Sequence, residues 1–298
     1  MKLLIIGASG ILGSKLYNDA INKKWNVMGT YCSHKHEGLF YLDVRDKSSL
    51  EKAFNIFEPE VVVMAGGITD VDLCTLKPKL AEDVNIKGTS DLVKKIKEYG
   101  SKLVYISTDY IFDGENGPYK ENYKTNPINN YGRTKLEAEN IIRTKLKDYL
   151  IVRTCQLYGV ADRMLTNSAP AKNFAIKIIH NMQNNKKVYA ADDLYSTPTY
   201  SGSLSDILIK LIDKKSKGVY HGAGAEFLSR YDYVSKITDV FKLDKSLIQR
   251  VKLKDLKLKA KRPEKGGLKT DKIRKEKICE SYDCETGLAL LKKELSNA

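Results

Sequence analysis

The sequence predicts a doubly wound parallel α/β sheet with a smaller α/β lobe built mainly from its C-terminal half. In the first half, short apolar runs alternate with amphipathic stretches, the order that yields parallel strands joined by covering helices. A glycine-rich turn follows the first run directly, and after Tyr158 the regularity fades into less periodic sequence.

The strands are read at Leu3 to Ile6, Asn26 to Tyr31, Val61 to Ala65, Leu103 to Ser107 and Leu150 to Arg153, each short, apolar and bounded by turn residues. Between them, Ile11 to Lys23, Ser48 to Phe57, Lys79 to Tyr99 and Asn130 to Lys147 carry apolar residues at helical spacing. Ala161 to Lys172 mixes Asn, Ser, Pro and small residues and reads as an irregular loop, followed by a helix from Asn173 to Asn184. The run from Gly218 to Gly224 reads as one more strand and a tight turn. The predicted division is therefore residues 1–158 as one domain and 159–298 mainly as the second lobe, with segments near 188–200 and 218–225 returning to the first.

The composition sets bounds on function. Of 298 residues, 42% are hydrophobic and 30% charged, enough to bury a core and keep a polar surface. The 51 Lys and Arg against 37 Asp and Glu give a formal charge of +14, much of it after Lys236, including Lys252, Lys254, Lys257, Lys259, Lys261 and Arg262. No nucleic-acid-binding motif and no interleaved aromatics accompany these cations, so nucleic acid is not the expected partner. They form a solvated face, or some of them meet an anionic substrate. The five cysteines are scattered without a CxxC pair and read as reduced thiols. The N-terminus enters the first apolar run with no room for a signal peptide, and no apolar run nears the ~20 residues of a membrane span. A cytoplasmic protein is expected. The four histidines lack metal-ligand spacing, and no metal site is expected.

Gly7-Ala8-Ser9-Gly10-Ile11-Leu12-Gly13 is a GxxGxxG turn that opens straight into a helix. Glycines are needed there because the chain turns sharply and its backbone must approach a pyrophosphate, whose charge is met by amides at the helix N-terminus. This makes residues 1–158 a dinucleotide-binding, Rossmann-type domain. About 20 residues further on, where an acid would hold the 2′-hydroxyl of NAD, stand Thr30 and Tyr31, followed by Ser33, His34 and Lys35. A hydroxyl and two potential cations favour NADP(H), with NAD(H) as the alternative. Asp43, with Val44 behind it, either accepts from the adenine amino group or caps the helix that follows.

Tyr131-Gly-Arg-Thr-Lys135 puts a phenol and an ammonium four residues apart on a predicted helix, so both point the same way. A phenol titrates near pH 10, and a neighbouring cation favours its phenolate, which suits it to relay a proton. Upstream, the strand Val104 to Ser107 ends in Ser107 and Thr108, at the edge where open parallel sheets place their ligands. Thr108 is the candidate for holding a substrate carbonyl oxygen.

With these residues in place, the chain resembles the dTDP-4-dehydrorhamnose reductase family, the sugar-nucleotide branch of the extended short-chain dehydrogenases. The matching pieces run in order from Gly7 to Pro263: the glycine turn, Thr69 to Asp72, Val84-Asn85, Ser107 to Gly114, Pro127, Tyr131 to Lys135, Arg153-Thr154, Asn173-Phe174, Pro198-Thr199 and Arg262-Pro263. The resemblance implies that NADPH delivers hydride to the C4 ketone of a nucleotide-linked 6-deoxyhexulose. Tyr131 would protonate the alkoxide, Lys135 would bind the nicotinamide ribose and lower the tyrosine pKa, and Thr108 would orient the carbonyl. Ala65, Gly66, Gly67, Asn85 and Ser107 would lie on the cofactor side, and Thr69, Asp109, Tyr110, Gln156, Asn173 and Arg262 on the substrate side. The departures fall near the substrate: Met64-Ala65-Gly66 stands where relatives have Asn-Ala-Ala, Cys155-Gln156 replaces Ser-Trp, and Leu194 replaces a glutamine. Lost aromatic and amide contacts would alter which sugar is accepted. The implied partner is a nucleotide sugar, with a homodimer left open. The alternatives are a reductase or epimerase of another nucleotide sugar, and a non-catalytic subunit, since the regulatory subunit of methionine adenosyltransferase resembles the same branch.

Overall fold

The computed structural model describes residues 1–161 and 173–297. Most of the loop expected over Ala161 to Lys172 thus lies outside the described residues.

The first half alternates as its sequence requires: β1 (Lys2–Ile6), α1 (Ile11–Asn22), β2 (Asn26–Tyr31), β3 (Phe40–Tyr41), α2 (Lys47–Phe57), β4 (Val61–Met64), α3 (Val71–Leu76), α4 (Pro78–Glu82), α5 (Gly88–Tyr99), β5 (Lys102–Thr108), α6 (Asn130–Lys145) and β6 (Tyr149–Thr154). The second half adds β7 (Leu157–Tyr158), α7 (Phe174–Gln183), β8 (Val188–Ala191), β9 (Tyr195–Ser196), β10 (Thr199–Tyr200), α8 (Ser201–Asp213), β11 (Gly218–His221), β12 (Leu228–Ser229), α9 (Arg230–Phe241), β13 (Ile248–Val251), α10 (Asp271–Lys275) and α11 (Cys284–Ser296).

Seven parallel strands form the central sheet in the order β11-β6-β5-β4-β1-β2-β3. Its two faces follow from the period of two along each strand. Leu3, Ile5, Val61, Val63, Val104, Leu150 and Val152 point to one side, where α1 and α8 cover them with Leu12, Leu16, Leu204, Ile207 and Leu208. Leu4, Ile6, Val62, Met64, Leu103, Tyr105 and Ile151 point to the other, under Leu50 and Phe54 of α2, Leu92 and Ile96 of α5 and Ile142 of α6. Burial on both faces explains why these strands read as continuous apolar runs. The strand order reverses between β1 and β4, the place where open parallel sheets bind their ligands at the carboxyl ends of the strands.

A third core belongs to the C-terminal lobe: Ile178, Ile179 and Met182 of α7, Val188 and Ala190 of β8, Val234 and Ile237 of α9, and Leu288 and Leu291 of α11. The expectation that the segment near 188–200 returns to the first domain is corrected at its start. Val188–Ala191 pairs with β13, not with the large sheet, because its buried side chains face this separate core. Only β10 turns back, pairing with β7 and leading into α8. Among the described residues no helix is long and apolar enough to cross a membrane.

Candidate active site

The glycine turn is shaped by close approach. Gly7 has φ +89°, and a Cβ there would sit 2.7 Å from the Gly66 backbone; one at Gly13 would sit 2.1 Å from the Gly7 carbonyl oxygen. Only bare backbone fits, which leaves the turn open to a ligand as flat and acceptor-rich as a pyrophosphate. Gly10 caps α1 without a side-chain bond, leaving first-turn amides unfilled by any side chain. Leu12 faces the core, and Ser9 and Ile11 are half-buried along the turn. A cavity of about 120 Å³ adjoins it, lined by Ser9, Tyr17, His36 and Leu39.

Thr30 lies beneath the glycine turn. It is buried, and its hydroxyl accepts from the Gly7 amide at 3.3 Å, bracing the turn from below. Tyr31 meets Tyr41 edge-on. Ser33, His34 and Lys35 are exposed just beyond, with the Ser33 hydroxyl 2.9 Å from His34 Nδ1. Asp43 does not cap α2; Asp46 does, accepting from Ser48 N at 2.9 Å. The Asp43 oxygens instead accept from the Arg45 amide and guanidinium at 2.5–3.1 Å, which holds the carboxyl below its usual range. Val44 is buried against Gly88.

The loop after β4 supplies Ala65, Gly66 and Gly67, then the exposed Thr69. Asn85 fixes this loop. It is buried in a π-helical turn, Asp83–Lys87, with its Oδ1 accepting from Ile68 N at 2.9 Å and its Nδ2 donating to Ile68 O and to Thr134 Oγ1. Its amide is thereby spent on joining the loop to α6.

Helix α6 starts at its Asn129 cap, whose side chain accepts from Gly132 N, and carries Tyr131 and Lys135 on one face. Gly132 lies between them because a Cβ there would meet the Tyr110 carbonyl oxygen at 2.0 Å. Tyr131 is buried with its ring edge-on to Tyr110, centroids 5.6 Å apart. Burial pushes its phenol well above the usual value, the neighbouring Thr108 hydroxyl pulls the other way, and Asp109 and Cys74 add to the rise. This departs from the expected lowering by Lys135, whose charge does not dominate in the ligand-free site. Lys135 Nζ donates to Ile106 O at 2.7 Å and lies 4.0 Å over the Tyr105 ring. Burial lowers its pKa to about 7, with Glu139 opposing. The arrangement presents a protonated phenol and an adjustable ammonium at the end of β5.

Thr108 is buried; its Oγ1 lies 3.2 Å from Asp109 Oδ1 and accepts from Tyr110 N. Ser107 is buried near Glu139, whose charge its hydroxyl helps to hold. Asp109 and Asn173, expected on the substrate side, make hydrogen bonds within the fold. Asp109 is buried and accepts from Cys155 Sγ at 3.0 Å and Gly267 N at 3.1 Å, tying the sheet end to the C-terminal lobe. Asn173 caps α7 through Ala175 N and donates to Gly159 O, using both ends of its amide. Gln156 sits at φ +38°, a strained backbone for a non-glycine residue; its Oε1 accepts from Ser196 while its Nε2 is buried with no acceptor among the described residues. Arg262 donates to Asp72 at 2.9 Å and to Ala260 O, joining the lobes. Sequence reasoning missed Cys74, fully buried and electrostatically coupled to both Tyr131 and Lys135, and Arg230, close to Tyr110 and Arg262. Neither stands in a recognisable motif. No group of three or more His, Cys, Asp or Glu among the described residues is placed to hold a metal ion.

The family model for the RmlD substrate binding domain matches residues 1–297. The chain belongs to this family. The resemblance read from the motifs is therefore borne out. The chain is 27% identical over 250 residues to methionine adenosyltransferase 2 subunit beta of Xenopus tropicalis, covering 82% of this chain and 73% of that protein. It also resembles a solved dTDP-4-dehydrorhamnose reductase from Clostridium acetobutylicum, at TM-score 0.89 and 29% identity over 99% of this chain and 100% of that one. A dTDP-4-dehydrorhamnose reductase from Bacillus anthracis, solved in complex with NADP, matches at TM-score 0.87 and 25% identity over the same shares.

Proposed function

We propose that this family member is an NADPH-dependent reductase of a nucleotide-linked 4-keto-6-deoxy sugar, a dTDP-4-dehydrorhamnose reductase. The observation that carries the reading is Tyr131, buried at the end of β5 beside Thr108 and kept protonated, the form a proton donor needs when a ketone is reduced. The bare glycine cradle fits a dinucleotide, and a bound nicotinamide supplies the hydride. Residues 1–158 hold it, with the Gly7 to Gly13 amides toward its pyrophosphate and Ser33, His34 and Lys35 toward a 2′-phosphate; 159–298 mainly hold the sugar nucleotide. Thr108 orients the carbonyl oxygen, Tyr131 gives it a proton, and Lys135 binds the ribose and replenishes charge beside the phenol. The five cysteines, all free, suit work in the reducing cytoplasm.

The test is NADPH oxidation with a dTDP-4-keto-6-deoxy sugar. Tyr131→Phe is expected to lower kcat by about 10²- to 10⁴-fold with unchanged NADPH affinity; equal turnover by both proteins overturns the assignment. The likeness to the adenosyltransferase subunit favours a second reading, a regulatory subunit. Stoichiometric co-purification with an adenosyltransferase and no turnover on any nucleotide ketosugar would establish it instead.

A further inference from the structure

Lys135 is a buried ammonium in contact with neutral groups. Its Nζ donates to Ile106 O at 2.7 Å and lies 4.0 Å over the Tyr105 ring. Burial without an opposite charge disfavours the charged form, so the ammonium needs a counter-charge in its surroundings. Glu139 is where it stands. It follows Lys135 by four residues on the buried face of α6, a spacing that puts two Cβ atoms about 5–6 Å apart.

Glu139 is fully buried, and its carboxylate is fixed from several sides. Arg153 Nε donates to Oε1 at 3.0 Å, and terminal nitrogens of Arg153 and Arg143 donate to Oε2, each at 2.8 Å. The Ser107 hydroxyl, at the end of β5, adds a further hold. So fastened, the carboxylate is kept from swinging up to pair with Lys135 directly. That has a chemical consequence, because an ammonium has three donors. With one on Ile106 O and Glu139 held elsewhere, two stay available to a ligand's hydroxyls while the charge is supported from one turn away.

The other ionisable groups around Lys135 do not take this part. Tyr131 on α6 and Tyr105 on β5 are phenols kept protonated by burial, and Cys74 on α3 is a thiol that burial pushes up to about 11. Arg153 on β6 is turned to Glu139. Asp109, in the turn after β5, acts on Tyr131 and is itself pushed by burial toward its neutral form. Among the charges that act on Lys135, that of Glu139 is the largest.

We propose that Glu139 acts in the reaction through Lys135, as a positioning residue whose fixed carboxylate is the counter-charge that keeps the ammonium ready for the nicotinamide ribose. This rests on the reductase reading for its catalytic consequence, but the charge relationship is measurable without cofactor or substrate.

The test is the titration of Lys135 in the ligand-free chain, followed by NMR of lysines labelled at Cε and assigned by the signal missing from Lys135→Met. Glu139→Leu combined with Arg153→Met, which removes the carboxylate with its buried partner, is expected to move this titration to lower pH. Calorimetry should then show NADPH binding about 10-fold weaker than wild type at pH 8 and within about twofold at pH 6, since a lower pKa leaves the ammonium protonated only in acid. Glu139→Asp keeps the charge and is expected to leave the titration near its wild-type place even where Tm falls. Should the double variant not fold, Glu139→Gln against Glu139→Asp makes the same comparison. An unmoved titration in a variant lacking the carboxylate overturns the proposal and marks Glu139 as a structural residue only, as does an equal acid shift in Glu139→Asp. Failure of wild type to bind NADPH would remove the reductase reading, and the NMR comparison would still decide the role of Glu139.

Discussion

Glu139 and Arg153 meet as a fully buried, two-pronged ion pair, Arg153 Nε to Oε1 at 3.0 Å and its terminal nitrogen to Oε2 at 2.8 Å. The pair joins the middle of α6 to the end of β6, one helical turn below Lys135. Burial opposes the Glu139 charge, but the guanidiniums of Arg153 and Arg143 outweigh it and keep its pKa below the usual carboxylate range. Because the folded pKa is depressed, the pair's contribution is present above the unfolded pKa of about 4 and is lost as pH falls through the folded value.

Removing one partner leaves the other charge buried and uncompensated. Glu139→Gln is expected to destabilise the fold by about 3–5 kcal/mol, a fall in Tm on the order of 10 °C. Glu139→Leu combined with Arg153→Met should recover most of that loss, since the double replacement removes both charges together. Thermal melts at pH 7 of the single and double variants check this; additive losses would mean that the pair is not the source of the effect.

Lys135 carries the second prediction. Its pKa of about 7 in the ligand-free chain means that above pH 7 a growing fraction is neutral. NADPH brings phosphates and ribose hydroxyls toward it, which favours the ammonium and raises the pKa in the complex. Between the two values the complex holds more protons than the free chain, so NADPH affinity should fall as pH rises from 7 to about 9, with net proton uptake on binding. Calorimetry in buffers of different ionisation enthalpy reads the uptake directly. In Lys135→Met both the uptake and this pH slope should vanish; an unchanged slope would assign the titration elsewhere.

How much of this was legible in the sequence differs from residue to residue. The sheet was readable because Leu3 to Ile6 and Val61 to Met64 bury alternate side chains in two cores, which leaves unbroken apolar runs. The pairing of Tyr131 with Lys135 was readable because helical spacing alone brings positions four apart together. The direction of the Tyr131 shift was not, since it is set by burial, and burial depends on neighbours far along the chain. Asp109 shows the same limit: its partners Cys155 and Gly267 lie 46 and 158 residues away, so its burial and hydrogen bonds had no local signal. The helix expected over Lys79 to Tyr99 hides a π-helical turn at Asp83–Lys87, because a ring one residue wider leaves almost no mark on apolar spacing. Arg230, stacked on Phe174, had no motif to announce it.

The cofactor preference rests on the segment after β2, where no carboxylate stands between Tyr31 and His36, and Ser33, His34 and Lys35 stand exposed. Arg45, another cation nearby, is held by Asp43, so it is less free to turn toward a phosphate. Thr30, buried under the glycine turn, accepts from the Gly7 amide. Selectivity should therefore reside in the exposed segment, and a charge reversal there should act on one cofactor and not the other. Lys35→Glu is expected to raise the KM for NADPH by about 10-fold or more, because a 2′-phosphate then faces a carboxylate in place of an ammonium. The KM for NADH should stay within about twofold, since its 2′-hydroxyl carries no charge to repel. Steady-state kinetics with both cofactors, at low and at 0.5 M salt, separate the electrostatic effect from a disturbed fold, because screening to a Debye length of about 4 Å should shrink the NADPH penalty. Equal losses for NADPH and NADH would move the 2′-phosphate site away from this segment.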